Sequence, residues 1–245
     1  MPSCMHMSVE LRMYSWSILF VTWSAFLGCE IYLHGQRKDK LLFALSGILA
    51  AYTHNFNIIS EIFVYMILFI ALLVKDKKYI KDILIISLIT ILGYLPWLFI
   101  SFKQVMNVNN DFWLWSVNFT DIAQMLIYPF NSLCHNEIPN LFVLIFIGLP
   151  LLMTSLLFIV VLKTTINNHF KNQKANFVLL CYIPMYGLMM FGVVYGLLIR
   201  PIFVARYLHS TIGIFFLGLA VGISLIKKNS LKNVAIIILI CNMIY

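Results

Sequence analysis

Charge is what this sequence has least of. Asp, Glu, Lys and Arg together make up 11% of its 245 residues, against 62% apolar ones. So little polar surface excludes a soluble globular protein of this size and leaves an integral membrane protein. There is no Walker loop, no Gly-rich dinucleotide turn, no nucleophile elbow and no His/Cys cluster, so neither a metal nor a cofactor is expected. Five cysteines show no ligand spacing. Cys29, Cys181 and Cys241 lie in apolar runs, where a thiol behaves as a small hydrophobe; a Cys4–Cys134 disulfide stays an open option. No basic cluster precedes the first apolar stretch, so no cleavable signal peptide is expected from it.

What the chain does have is a succession of apolar runs, each near the roughly 20 residues a helix needs to cross a hydrocarbon core of about 30 Å. They predict an all-α, polytopic membrane bundle of about eight transmembrane helices, forming a single domain over 1–245. The predicted spans are 13–34, 41–53, 56–74, 83–101, 141–162, 175–199, 207–226 and 233–245. Alternate loops confirm the threading. "GQRKDK", "KDKKYIKD", "KTTINNHFKNQK" and "KKNSLK" hold thirteen of the seventeen Lys and Arg residues, which marks that side as cytoplasmic by the positive-inside rule. The net charge of +8 is thus a topology signal, and no nucleic-acid partner is expected.

The other side carries only Arg12, Lys103, Arg200 and Arg206 as cations, with Trp97, Trp113, Trp115 and Tyr128 as an interfacial aromatic belt. Its long segment, 102–140, contains no Gly and predicts a short helix in the interface: Thr120 or Asp121 would cap it, and Ile122, Met125 and Leu126 recur at helical spacing. That helix either roofs a cavity or merely covers loop backbone. The sequon Asn118-Phe119-Thr120 has low specificity. Between Leu41 and Val74 the chain must go out and return, as two arms of fewer than 20 residues hinged at "YTHNF". His54 and Asn55 would then be recessed. Glu61, seven residues after His54, shares its helical face about two turns deeper, as a functional carboxyl or as one kept protonated or hydrogen-bonded between packed helices.

Polar groups therefore gather on the lysine-poor side: Glu10, Arg12 and Tyr14 at the first helix, His54 and Asn55 at the hinge, and Arg200, Arg206, Tyr207 and His209 near the last long helix. Arginines on a face poor in cations point to an anion at the membrane surface, because the planar guanidinium engages two phosphate oxygens at once. Snorkelling to lipid phosphates is the plainer role for each of them. Arg12 points about 200° from Glu10 if the helix already includes residue 10, so either the helix begins near Met13 or the two charges face different surroundings. Pro201 ends the preceding helix at "RP" and lets the loop fold Arg200 and Arg206 toward one place.

"SVELRMYSWSILF", "ALSGILAAYTHNFNII", "GYLPWLFISFKQ" and "PIFVARYLHSTIGIFFLGLA", in this order, resemble the bacterial dolichyl-phosphate-mannose-protein mannosyltransferase-like family. That family belongs to glycosyltransferase family 39 of the glycosyltransferase C superfamily. The resemblance covers nearly the whole chain and rests on "ExRMY", "YTH" and "RY". It implies a glycosyltransferase C-like enzyme of the bacterial cytoplasmic membrane, taking a sugar from a polyprenyl-phosphate carrier and passing it to a protein, lipid or glycan acceptor on the extracytoplasmic side. In the family an aspartate of the first extracytoplasmic loop is the general base, the sugar carbon inverts, and metal is not generally needed. Arg206 and Tyr207 match the "RY" position and would hold the carrier phosphate, with Glu10 and Arg12 as second choices; His54 matches the "tH" histidine. The loop bearing the aspartate would precede Met1, and neither Asp111 nor Asp121 stands in its context.

Together with the short last span, that departure makes the chain read as a fragment. Two other readings stay open, a transporter or flippase of a lipid-linked substrate and a non-catalytic truncated reading frame. Against the transporter, Gly93, Pro96, Pro150 and Pro184 fall at no matching spacing, and no repeat is present.

Overall fold

The computed structural model describes residues 13–76, 79–107, 117–131, 141–199 and 201–244. All regular structure among them is helical: α1 (Tyr14–Leu33), α2 (Arg37–Thr53), α3 (Asn55–Lys75), α4 (Ile80–Asn107), α5 (Phe119–Ile127), α6 (Leu141–Asn167), α7 (Gln173–Leu198), α8 (His209–Ser224) and α9 (Asn229–Ile244). One 3-10 turn, Tyr128–Phe130, follows α5, and another, Ala205–Leu208, leads into α8.

The eight apolar runs each became a helix within a few residues of the predicted bounds. Six of these helices are long and apolar enough to cross a membrane, α8 when counted with the 3-10 turn that leads into it, as Ala205–Ser224. The other two fall short of the eight expected spans: α2 has 17 residues and α9 has 16, about 25 and 24 Å at 1.5 Å per residue. The expectation of two short arms around the hinge holds for α2 alone, because α3 runs for 21 residues. Helix ends follow local chemistry. Gly35, at φ +65°, lets the chain leave α1 with the His34 and Gly35 amides on the Glu30 carbonyl. α7 stops at Leu198, three residues before Pro201.

α1, α3, α7 and α8 pack at the centre, with α2 and α4 on one flank and α6 and α9 on the other. One apolar core joins α1, α2 and α3 through Val21, Phe43, Val64 and Leu68. The second joins α6, α7 and α8 around Tyr182, Phe215 and Phe130. Outward faces are as apolar as the cores: Leu84, Leu88, Ile91, Leu92 and Phe99 of α4 and Leu152, Leu156 and Ile159 of α6 are all exposed. Contiguous patches of that kind fit hydrocarbon as solvent, and the chain is a multi-pass membrane protein.

The lysine-bearing loops meet at one end of the bundle. Lys40 pairs with Asp82 at 2.5 Å, Lys75 donates to the Tyr32 carbonyl, and the Tyr32 hydroxyl donates to the Phe170 carbonyl at 3.3 Å. These contacts tie α2 to α4, and α1 to α3 and to the loop that precedes α7. At the opposite, lysine-poor end stand the start of α1, the α2–α3 hinge, α5 and the turn before α8.

Candidate functional site

At the hinge, His54 breaks the helix with extended backbone, φ −157° and ψ 136°, and its Nδ1 accepts the Phe56 amide at 3.1 Å. The side chain thus caps α3, and the ring is fixed in place. Because Nδ1 is an acceptor, Nε2 carries the hydrogen in the neutral ring. Burial, and then the Arg206 guanidinium, push the His54 imidazole down to about 4, so at neutral pH it is uncharged. A base that weak is poorly matched to proton abstraction and well suited to donating from Nε2.

Around this ring the distant parts of the chain converge. The Tyr14 ring of α1 lies 6.2 Å from His54 and 6.0 Å from His209, the first residue of α8. Tyr207 lies 5.0 Å from His54 and stacks on Phe56 at 4.6 Å. Phe203 closes the edge of Phe56 and Tyr207, in space left by Gly192, where a Cβ would collide with its ring. The Tyr128 hydroxyl lies 3.2 Å from His209 Nδ1, which brings the turn after α5 to the same place. α5 itself packs on α6 and on the Ala205–Leu208 turn, with Met125 buried beneath it. The predicted short helix is therefore present and lies over this end, but its cap differs from the expected Thr120 or Asp121. Asn118 is the cap, and Asp121 occupies the third position of a capping box.

Arg206 sits in this group, and its Nε is buried without a hydrogen-bond partner. A buried guanidinium donor left unpaired costs on the order of 1–3 kcal/mol, and an anion would remove that cost. Beneath the rings, Asn57 Nδ2 donates to Ser17 Oγ at 3.0 Å and to the Ala50 carbonyl at 2.9 Å, locking α1, α2 and α3 together. Deeper still, Ser24 Oγ donates to Glu61 Oε2 at 2.6 Å.

Of the residues singled out from sequence, His54, Arg206 and Tyr207 are brought together, with Tyr14 and His209. Asn55 is not with them. It is exposed and accepts from Ser101 of α4 at 3.3 Å, because the next residue on a helix points about 100° away. Glu10, Arg12 and Arg200 lie outside the described residues, as do Cys4, Cys134, Asp111, Trp113 and Trp115. The contacts of Tyr128, Phe56 and Phe203 went unforeseen; the trace of Phe56 and Phe203 in the sequence is their place beside "YTH" and "RY", and that of Tyr128 its place in the aromatic belt. Among the described residues, no group of three or more His, Cys, Asp or Glu side chains could hold a metal ion.

Compared with protein-family models, curated proteins and solved structures, the chain matches none. The family resemblance rests on the quoted motifs.

Proposed function

We propose that this chain forms the carrier-phosphate site of a glycosyltransferase C-like enzyme, or is a large part of one, which transfers a sugar from a polyprenyl-phosphate donor to an acceptor. The observation that carries this reading is Arg206. Its side chain is half-buried with a buried, unpaired Nε, beside a neutral histidine and the rings of Tyr14 and Tyr207. Arg206 would hold the phosphate by charge-assisted bonds, with His54 donating from Nε2. Such preorganised donors favour the phosphate most when it carries the negative charge of a leaving group. Tyr14 and Tyr207 would wall the site.

In this reading the lysine-rich end is cytoplasmic and the phosphate site faces the extracytoplasmic side of a bacterial cytoplasmic membrane. α2 and α9 then complete eight spans, accommodated where the bilayer thins. Expressed together with the aspartate-bearing segment that the resemblance implies, the chain should move radiolabelled hexose from a polyprenyl-phosphate hexose into protein, lipid or glycan fractions. Arg206→Ala should lower that transfer at least tenfold. Transfer undiminished by the substitution would remove Arg206 from the site.

A further inference from the structure

A second feature lies on the α4 side of the hinge helix. α2, α3 and α4 splay around a cleft of about 440 Å³, within the range of small-molecule sites. Its walls include Ile62, Met66 and Ile91, all exposed on the lipid-facing surface, so it is reached sideways from the bilayer. Three rings, Tyr65, Phe69 and Tyr94, line it as well, and so does Glu61.

The polar side chains of the cleft account for one another, with a single exception. Tyr65 Oη and Thr90 Oγ1 are 2.7 Å apart, Ser87 Oγ donates to the Ile83 carbonyl at 2.8 Å, and Tyr94 Oη lies 3.1 Å from Ser101 Oγ. Glu61 is 5% exposed, and its Oε2 accepts from Ser24, but its Oε1 is buried without a partner. No Lys, Arg or His lines the cleft, and among the described residues no ion pair reaches Glu61. An acidic group in hydrocarbon is costly unless a cation or hydrogen-bond donor meets it.

We infer that this cleft binds a lipophilic ammonium, a single protonated amine on an apolar body that enters from the bilayer and places its N–H against Glu61. The chemistry fits on three counts. The unpaired carboxyl oxygen takes the donor, the aromatic lining of Tyr65, Phe69 and Tyr94 suits a cation, and the aliphatic walls take the body. A neutral lipid chain would leave Oε1 unsatisfied. A phosphate-bearing lipid would meet a carboxyl with no cation to offset it. The site stands apart from the proposed phosphate site, since Glu61 lies about two turns along α3 from His54.

The test uses the purified protein in phosphatidylcholine nanodiscs, with empty nanodiscs as background and radiolabelled dodecylamine and dodecanol as probes. Saturable binding of dodecylamine is expected, with dodecanol at least tenfold weaker. Glu61→Gln should weaken the amine at least tenfold and leave dodecanol unchanged. Ile91→Trp, at a position 62% exposed where bulk is tolerated, should fill the cleft and abolish amine binding with Glu61 intact. Dodecylamine should also protect Glu61 from modification by dicyclohexylcarbodiimide. Equal binding of amine and alcohol, amine binding unchanged in Glu61→Gln, or no saturable amine binding would each overturn the inference. Polyprenyl-phosphate binding should survive Glu61→Gln, so the two sites succeed or fail separately.

Discussion

The ring of His54, at the α2–α3 hinge, sits 5.0 Å from the ring of Tyr207, in the turn that leads into α8. Tyr207 also stacks on Phe56 and meets Phe203 edge-on, so it holds the Arg206 backbone against the hinge. Aromatic pairs of this kind contribute about 0.5–1.5 kcal/mol each beyond burial. Tyr207→Leu should therefore destabilise the protein by about 1–3 kcal/mol, whereas Tyr207→Phe keeps the stack and should cost less. Denaturant unfolding in detergent, followed by Trp fluorescence, compares the two.

His54 makes stability depend on pH in a stated direction. Its folded value, about 4, lies below the ordinary 6.5, so the unfolded chain binds the proton more readily. Above about 6.5 both states are neutral and the residue contributes no pH dependence. As pH falls from about 6.5 to about 4, stability is lost. His54→Asn keeps a capping side chain but does not titrate, and its melting temperature should fall less over that window. A wild-type and variant profile of equal slope would show that other groups set the acid limit.

Asn57 joins three helices directly beneath the rings, and both bonds from its Nδ2 are buried. Asn57→Leu leaves Ser17 and the Ala50 carbonyl short of a donor and should cost about 1–3 kcal/mol. Because His54 is three residues away, phosphate binding should weaken together with stability.

Gly192 offers a test at a distance from any ligand. A side chain there would displace Phe203, and through it Tyr207. Gly192→Val should destabilise by about 1–3 kcal/mol and loosen phosphate binding. Gly148, which has no heavy atom within 4 Å of an added Cβ, is the matched control, and Gly148→Val should leave phosphate binding unchanged and cost no stability.

Helix positions were legible because hydrocarbon imposes long apolar runs, and because lysines mark alternate loops. The grouping of "YTH" with "RY" at one end followed from that threading. The pairings inside the group were not legible. Ser17 with Asn57, Ser24 with Glu61 and Tyr128 with His209 each join helices or turns far apart in sequence, and helical spacing tells which face a residue occupies without telling which neighbour it meets. Asn55 misled for the same reason, since proximity to His54 in sequence places it on another face. The α5 cap was missed because Asn118, Thr120 and Asp121 are all competent caps, and only the capping-box geometry selects among them.

The most direct measurement of the central claim is the affinity of a short polyprenyl phosphate, and of the matching polyprenol, for the purified protein and for Arg206→Ala in nanodiscs. Loss of a charge-assisted contact worth about 1.5–3 kcal/mol predicts phosphate binding weakened roughly 10- to 100-fold in the variant, with the weaker polyprenol binding unchanged. Equal affinity of wild type and Arg206→Ala for the phosphate, or no preference of the wild type for phosphate over alcohol, would contradict it.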